Sequence, residues 1–303
     1  MTIQQLLKTA PVSTLLLVSF IGLFIMQVLT GVDANNPSTQ ALLNWGANAL
    51  PLTMVDDPWR LVSSAFLHIG LMHLLFNGFA MYFFGQVAEP MFGSAKFLAL
   101  FLLSAIGGNL LNNYVTWQGI LDGTGQPGLS AGASGGIMGI GAALLIAALF
   151  KISVNGMVLN LRSLIFIMGI NLVYGFAVPG IDNAGHIGGA ITGLLIAFGF
   201  ALAYRQRMTS SMAPMTYSHT DDVPEYGDTQ DANTVYPATD DPINTTINHE
   251  PSGSYSISLE TPTKPAMIWQ LLPWLIMLLI SIGFVWWWQD IHQQILQVLK
   301  TIE

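Results

Sequence analysis

Apolar and polar positions along this chain fall into blocks, and the apolar blocks are about as long as a bilayer is thick. A membrane-crossing helix needs roughly 20 predominantly apolar residues. Seven runs approach that length: Pro11 to Leu29, Leu67 to Val87, Phe97 to Tyr114, Ser134 to Phe150, Met157 to Val178, Gly185 to Tyr204 and Ala266 to Trp288. The first is too long for a signal peptide and no small-residue cleavage site follows it cleanly, so it reads as a transmembrane helix. The run after Ser134 is short for a full span, which puts its start below the membrane surface. The last ends in Trp286-Trp287-Trp288, and tryptophan favours the lipid–water interface.

Two stretches break the pattern. From Thr30 to Ser64, Asn, Asp, Pro and Gly interrupt Leu42-Leu43, Trp45, Leu50, Leu52, Met54 and Trp59-Arg60. This is too polar to span and too apolar to float free, so an interfacial segment is expected. From Arg205 to Pro265 the chain is rich in Thr, Asp, Pro and Ser, with acids from Asp221 to Glu260; it cannot bury enough apolar surface to fold. The expected organisation is a six-span core over 1–207, an acidic, disordered cytoplasmic linker over 208–265, and a seventh transmembrane helix with an external tail over 266–303.

Composition agrees with the pattern. Of 303 residues, 52% are hydrophobic and 9% charged, with a mean hydropathy of +0.55, values that an ordinary soluble domain does not show. The fold class expected is therefore an all-α polytopic membrane protein. Cysteine is absent, which excludes disulfides, thiolate metal sites and cysteine proteases. The net charge of −8 resides mostly in the linker and makes no case for nucleic-acid binding. With the N-terminus inside, Lys8, Lys96, Lys151, Arg162, Arg205, Arg207 and Lys264 fall on the cytoplasmic side, and only Arg60 and Lys300 fall outside. That asymmetry follows the positive-inside rule and puts the C-terminus outside. The short external loops and the lack of an evident organelle-targeting sequence make a bacterial cytoplasmic membrane the expected location.

Polar residues at membrane depth then carry the chemistry. Ser134 opens its run inside Gly132-Ala133-Ser134-Gly135-Gly136, and His186 opens another inside Gly185-His186-Ile187-Gly188-Gly189. Both starts face the same side in this topology. A serine needs a neighbouring base to act as a nucleophile at neutral pH, and histidine is the commonest one. The second run carries His68, His73 and Asn77, although an ionisable residue at bilayer depth costs about 2.5 to 3.5 kcal/mol on insertion scales. His73 and Asn77 are four apart and share a helix face, as two oxyanion donors would, whereas His68 lies about 140° round from His73 and suits support of the helix start. Glycines 135, 136, 139 and 141 on one helix and 185, 188, 189 and 193 on the other allow close backbone approach. Asp182 is the carboxylate nearest His186 in sequence but sits in a loop, so a Ser–His dyad is expected.

On these residues the chain resembles the rhomboid family of intramembrane serine proteases. The carriers are Trp59-Arg60, His68-x4-His73-x3-Asn77, Gly132-Ala133-Ser134-Gly135 and Gly185-His186-x2-Gly189-x3-Gly193, spread over about Pro11 to Tyr204. The resemblance implies a six-helix bundle, here in a six-plus-one arrangement. It implies Ser134 as nucleophile, His186 as general base and acid, and His73, Asn77 and the Ser134 backbone N–H as oxyanion holders. It also implies a water-filled cavity open to the outside, lateral substrate entry near the second and fifth spans, and transmembrane protein substrates cleaved in the bilayer without metal or other cofactor. Phe166, Met168, Tyr174 and Phe176 on the fifth span read as lipid-facing or packing residues, with a gating part implied only by the family. Four residues after the serine, better-known bacterial members carry a tyrosine stacked on the catalytic histidine; here the position is Met138.

Other readings stand beside this one. Gly-x-Ser-x-Gly arises by chance in glycine-rich membrane helices. Zinc-protease chemistry would need His-Glu-x2-His, which the His68/His73 spacing does not provide, and no predicted span contains the paired aspartates of an aspartyl protease. A transporter would explain broken helices and buried histidines but not the Ser/His/Asn set. A non-catalytic protein of the same fold, binding client transmembrane segments, is the main alternative.

Overall fold

The computed structural model describes residues 3–152, 159–177, 182–211, 215–219, 255–259 and 266–302. In chain order its elements are α1 (Ile3–Thr9), α2 (Pro11–Leu29), α3 (Thr39–Asn44), β1 (Asn48–Ala49), α4 (Leu50–Val55), α5 (Arg60–Ser63), α6 (Leu71–Phe92), α7 (Ser94–Leu121), β2 (Leu129–Ser130), α8 (Ser134–Leu149), α9 (Leu161–Ala177), α10 (Asn183–Ser211), β3 (Met215–His219), β4 (Tyr255–Leu259) and α11 (Met267–Ile302). Five segments, Pro11–Leu29, Leu71–Phe92, Ser94–Leu121, Asn183–Gln206 and Met267–Thr301, are long and apolar enough to cross a bilayer. Ser134–Leu149 and Leu161–Ile170 are apolar but shorter. The all-helical polytopic class therefore holds, with five described spans of full length where seven were expected. At 1.5 Å per residue the 16 residues of α8 reach about 24 Å, short of the ~30 Å hydrocarbon core.

Lipid tails are as apolar as leucine, so helices in a bilayer associate by close packing rather than by escape from water. Glycine makes that packing possible around α8. A Cβ on Gly193 of α10 would fall 2.5 Å from Gly139 Cα, and one on Gly189 would fall 2.7 Å from the Gly135 carbonyl carbon. On the other flank of α8, a Cβ on Gly136 would meet the Phe101 ring of α7 at 2.5 Å. Beside this three-helix contact, Phe20, Phe97, Leu100, Phe101, Ile140 and Leu144 form the fully buried heart of the core.

Buried polar contacts set the angles at which elements meet. Glu89, near the end of α6, is buried and accepts from the Val12 and Ser13 N–H groups at 2.9 and 2.7 Å, from Ser13 Oγ at 2.8 Å and from Ser94 Oγ at 2.6 Å. A carboxylate from another helix thus caps the start of α2, where Ala10 has no side chain able to do so.

The mixed segment after α2 folds into the short elements α3, β1, α4 and α5. Arg60 ties them together. Its guanidinium is buried, donating through Nη1 to the carbonyls of Leu43 and Ala47 at 2.7 and 3.2 Å and through Nε to Asp57 at 3.0 Å. The same guanidinium lies 4.7 Å from the Trp59 ring centroid. Gly46, at φ +97°, allows this fold, because a Cβ there would fall 2.5 Å from the Trp59 ring.

Among the boundaries that differ from the sequence pattern, three bear on the site and its surroundings. Helix α6 begins at Leu71, so His68 lies in the loop before the span. Helix α7 continues to Leu121, beyond the apolar run that ended at Tyr114, and in this extension Trp117 is buried and finds a partner on α11. Helix α11 continues to Ile302, so the residues after the Trp triplet are helical rather than a tail. Its lower half packs on α7 and α4: Trp288 Nε1 donates to the Thr53 carbonyl at 3.1 Å, His292 Nδ1 contacts the Met54 carbonyl at 2.7 Å, and Trp117 Nε1 donates to Gln294 at 3.0 Å.

Residues 208–265 form a separate unit. Within it β3 and β4 pair antiparallel, Met215 opposite Leu259 and His219 opposite Tyr255. The remainder of the expected disordered linker lies outside the described residues.

Candidate functional site

Ser134 is the first residue of α8, and the segment leading to it is strapped down from the far side of the chain. Strand β2 pairs with β1, Asn48 opposite Ser130, and Gly132 N–H donates to the Ser64 carbonyl at 2.9 Å. Gly132 has φ +144°, a region that L side chains rarely adopt, and a Cβ there would fall 2.6 Å from His73 Cε1 and 2.8 Å from Nε2. Ala133 adds no side-chain cap to α8, so the helix start presents its backbone N–H groups and positive dipole end.

A cavity of about 190 Å³ opens at this point, lined by Ser134, Gly132, His73, Asn109, Asp182 and Gly185 among others. His73 Nδ1 accepts from Ile69 N–H at 3.3 Å. In a neutral ring that bond leaves the proton on Nε2, the nitrogen beside Gly132. Asn77 is buried one turn further along α6 and donates through Nδ2 to the His73 carbonyl at 3.0 Å. No partner for its second amide hydrogen lies among the described residues, and Nδ2 lies 3.8 Å from where a Gly132 Cβ would be. The structure therefore brings His73 and Asn77 to the peptide that leads into Ser134.

His186 is the fourth residue of α10, and its N–H donates to the Asp182 carbonyl at 3.1 Å. It is close enough to His73 for their charges to interact. Its Nδ1 is buried with no hydrogen-bond partner among the described residues. His186 is not part of the cavity lining, whereas Asp182, just before the helix, and Gly185 within it are.

The remaining candidates take other places. His68 is 1% exposed, its ring 5.2 Å from Phe20 and 5.4 Å from His73, and neither ring nitrogen has a hydrogen-bond partner among the described residues. Burial, and secondarily the neighbouring His73, push its imidazole down to about 3. In the segment between α4 and α5, the Arg60 guanidinium holds the Asp57 carboxyl below the usual carboxylate range. Met138 is buried. On α9, Phe166 is exposed, Met168 packs against Gly141 of α8, and the side chains of Tyr174 and Phe176 lie outside the described residues.

Several residues that hold the site together do not emerge from the apolar pattern. On α7, Asn109 donates to the Leu61 carbonyl at 2.9 Å and to Ser64 Oγ at 2.8 Å; Asn112 donates to Asp182 Oδ1 at 2.8 Å; Asn113 donates to Asn48 Oδ1 at 2.9 Å. Asn48 in turn donates to Ser130 Oγ at 2.9 Å. Three amides spaced to share one helix face inside an apolar run were the available signal, since polar groups in a span usually turn inward to a partner.

Fold and site together define an integral, multi-pass membrane protein whose polar pocket is enclosed by tightly packed helices. Residues 55–203 match the Rhomboid domain. The chain is 35% identical over 198 residues to rhomboid protease GluP of Bacillus subtilis (strain 168), a match covering 64% of this chain and 37% of that protein. It is 33% identical over 198 residues to rhomboid protease AarA of Providencia stuartii, covering 60% and 69% respectively. RHOMBOID-like protein 1 of Arabidopsis thaliana is 34% identical over 191 residues, covering 61% and 46%. The chain belongs to the rhomboid family. It spans well under half the length of the first of these relatives and over two thirds of the second.

Proposed function

We propose that the protein is an intramembrane serine protease that cleaves single-span membrane proteins in or near the outer part of the bilayer. The observation that carries this reading is the meeting of Ser134, at an uncapped helix start, with His73 Nε2 across Gly132 on one cavity. The names of the GluP and AarA relatives support it.

In this mechanism Ser134 Oγ attacks the scissile carbonyl while His186 takes the hydroxyl proton. The carbonyl oxygen becomes an oxyanion held by His73 Nε2–H, the Asn77 amide and the Ser134 backbone N–H; one such donor contributes about 2.7 to 4 kcal/mol to the transition state. His186 then returns the proton to the leaving amine, and water hydrolyses the acyl-enzyme with His186 again as base. Neither step draws on a metal or other cofactor. The Lys and Arg asymmetry supports an N-terminus inside and a C-terminus outside, and the short external loops support a bacterial cytoplasmic membrane.

The test is cleavage of a panel of tagged single-span reporters by purified wild type and Ser134→Ala, with a metal chelator throughout. Cleavage by wild type alone is the expected result. Full activity in Ser134→Ala or His186→Ala overturns the mechanism, and capture of reporters without cleavage favours the client-binding alternative.

A further inference from the structure

Asp182 stands apart from the Ser–His pair in sequence logic because it sits outside the helix that carries His186. In the structure it is the residue from which that helix starts. Its Oδ1 accepts from the Gly185 N–H at 2.7 Å, the side-chain cap of α10, while its backbone carbonyl accepts from His186 N–H at 3.1 Å. One residue thus makes both local bonds that set the first turn of α10.

The carboxylate is itself held from outside α10. Asn112 of α7 donates to the same Oδ1 at 2.8 Å. Gly185 is enclosed between the two helices: a Cβ there would fall 2.7 Å from Asp182 Cγ, and a Cβ on Gly108 of α7 would fall 2.5 Å from the Gly185 carbonyl oxygen. The glycine before His186 is therefore required by the Asp182 cap as much as by helix packing. Asp182 and Gly185 also line the cavity that holds Ser134.

Charge adds to geometry. A helix start carries roughly half a positive charge, and in the proposed reaction a proton moves onto His186 one turn from that start. The dipole opposes this step. A full negative charge at the cap reverses the local sign, and Asp182 is within electrostatic range of the His186 ring.

We propose that Asp182 is a positioning residue for His186, capping the first turn of α10 under the hold of Asn112 and offsetting the helix dipole as the imidazole takes up the serine proton. This rests on the serine protease reading. It does not make Asp182 a third triad member, because its carboxylate acts on the helix start and not through a bond to the ring.

Asp182→Asn separates the two parts, since asparagine also caps well and differs by one charge. Charges at partly buried helix ends shift equilibria by up to about thirtyfold. The expected result for Asp182→Asn is a melting temperature near that of wild type, about tenfold lower kcat with KM unchanged, and an equal slowing of fluorophosphonate labelling at Ser134. Asp182→Ala should lose more in kcat and also melt earlier. Asn112→Ala, which leaves charge and cap in place, should lower kcat by about two- to threefold. Wild-type kcat and labelling rate in Asp182→Asn would overturn the proposal, as would a loss residing wholly in KM or in melting temperature. Wild-type kcat in Asn112→Ala would remove the hold assigned to α7. A wild-type protein that neither cleaves reporters nor reacts with the fluorophosphonate overturns the protease reading itself, and this inference with it.

Discussion

Gly132 and His73 occupy adjoining space so closely that a single methyl group on the glycine would fall 2.6 Å from His73 Cε1. That relationship couples the backbone entering α8 to the face of α6 that bears His73 and Asn77. The first glycine of Gly-x-Ser-x-Gly is therefore set by a neighbouring side chain as well as by its own φ of +144°.

Gly132→Ala should move the His73 ring or the Ser134 peptide by a sizeable fraction of an ångström or more. Misplacement near 1 Å at a reacting centre costs about a hundredfold in rate. We expect a drop of that order in kcat/KM, with only a modest fall in melting temperature because the core around Phe20 and Phe101 is untouched. Unchanged proteolysis in this variant would mean that His73 and Gly132 do not act at the reacting centre.

Glu89 predicts stability rather than activity. Removing its carboxylate in Glu89→Ala leaves the Val12 and Ser13 N–H groups and two hydroxyls without their acceptor. Bonds to a charged group contribute about 1.5 to 3 kcal/mol each, and buried donors left unpaired cost more. Unfolding in detergent should show a loss of about 3 kcal/mol or more, with Glu89→Gln intermediate. A melting curve superimposable on wild type would remove the role assigned to this cap.

His68 predicts a dependence on pH. Its imidazole is held down to about 3 in the fold against an ordinary value of 6.5, so the unfolded chain takes up the proton first. The His68 contribution to stability is complete above about pH 6.5 and is lost progressively as pH falls toward 3, at up to about 1.4 kcal/mol per pH unit. Thermal unfolding of wild type between pH 7 and pH 4 should therefore decline more steeply than that of His68→Phe, which keeps the aromatic packing on Phe20 without a titrating group. Equal slopes would show that His68 is not buried as a neutral ring.

Helix α11 predicts a long-range effect. Trp288 donates to the Thr53 carbonyl at 3.1 Å and stacks on His292 at 4.8 Å between ring centroids. The α4 segment it holds is continuous with β1, which pairs with β2 before Ser134. Trp288→Ala should raise hydrogen exchange across residues 48–56 and lower stability by about 1 to 3 kcal/mol. Protection of that segment at the wild-type level would show that α11 does not restrain it.

Much of this protein is legible without coordinates. The length of the apolar runs sets helices and membrane residence, because an unpaired backbone group in lipid costs too much for any other spanning form of this composition. The glycines facing one another on α8 and α10 are visible as small-residue spacing, and Ser134, His73, Asn77 and His186 are visible as polar groups at a depth where polarity is costly. Tertiary structure decided what local pattern does not encode. Asn109, Asn112 and Asn113 look like interruptions of a span until Leu61, Asp182 and Asn48 are seen opposite them. Asp182 reads as a loop residue until the α10 cap places it on the cavity. Periodicity reports which face of a helix avoids lipid, whereas the partner on that face is set by residues far away in the chain, 238 positions in the case of His292 and Met54.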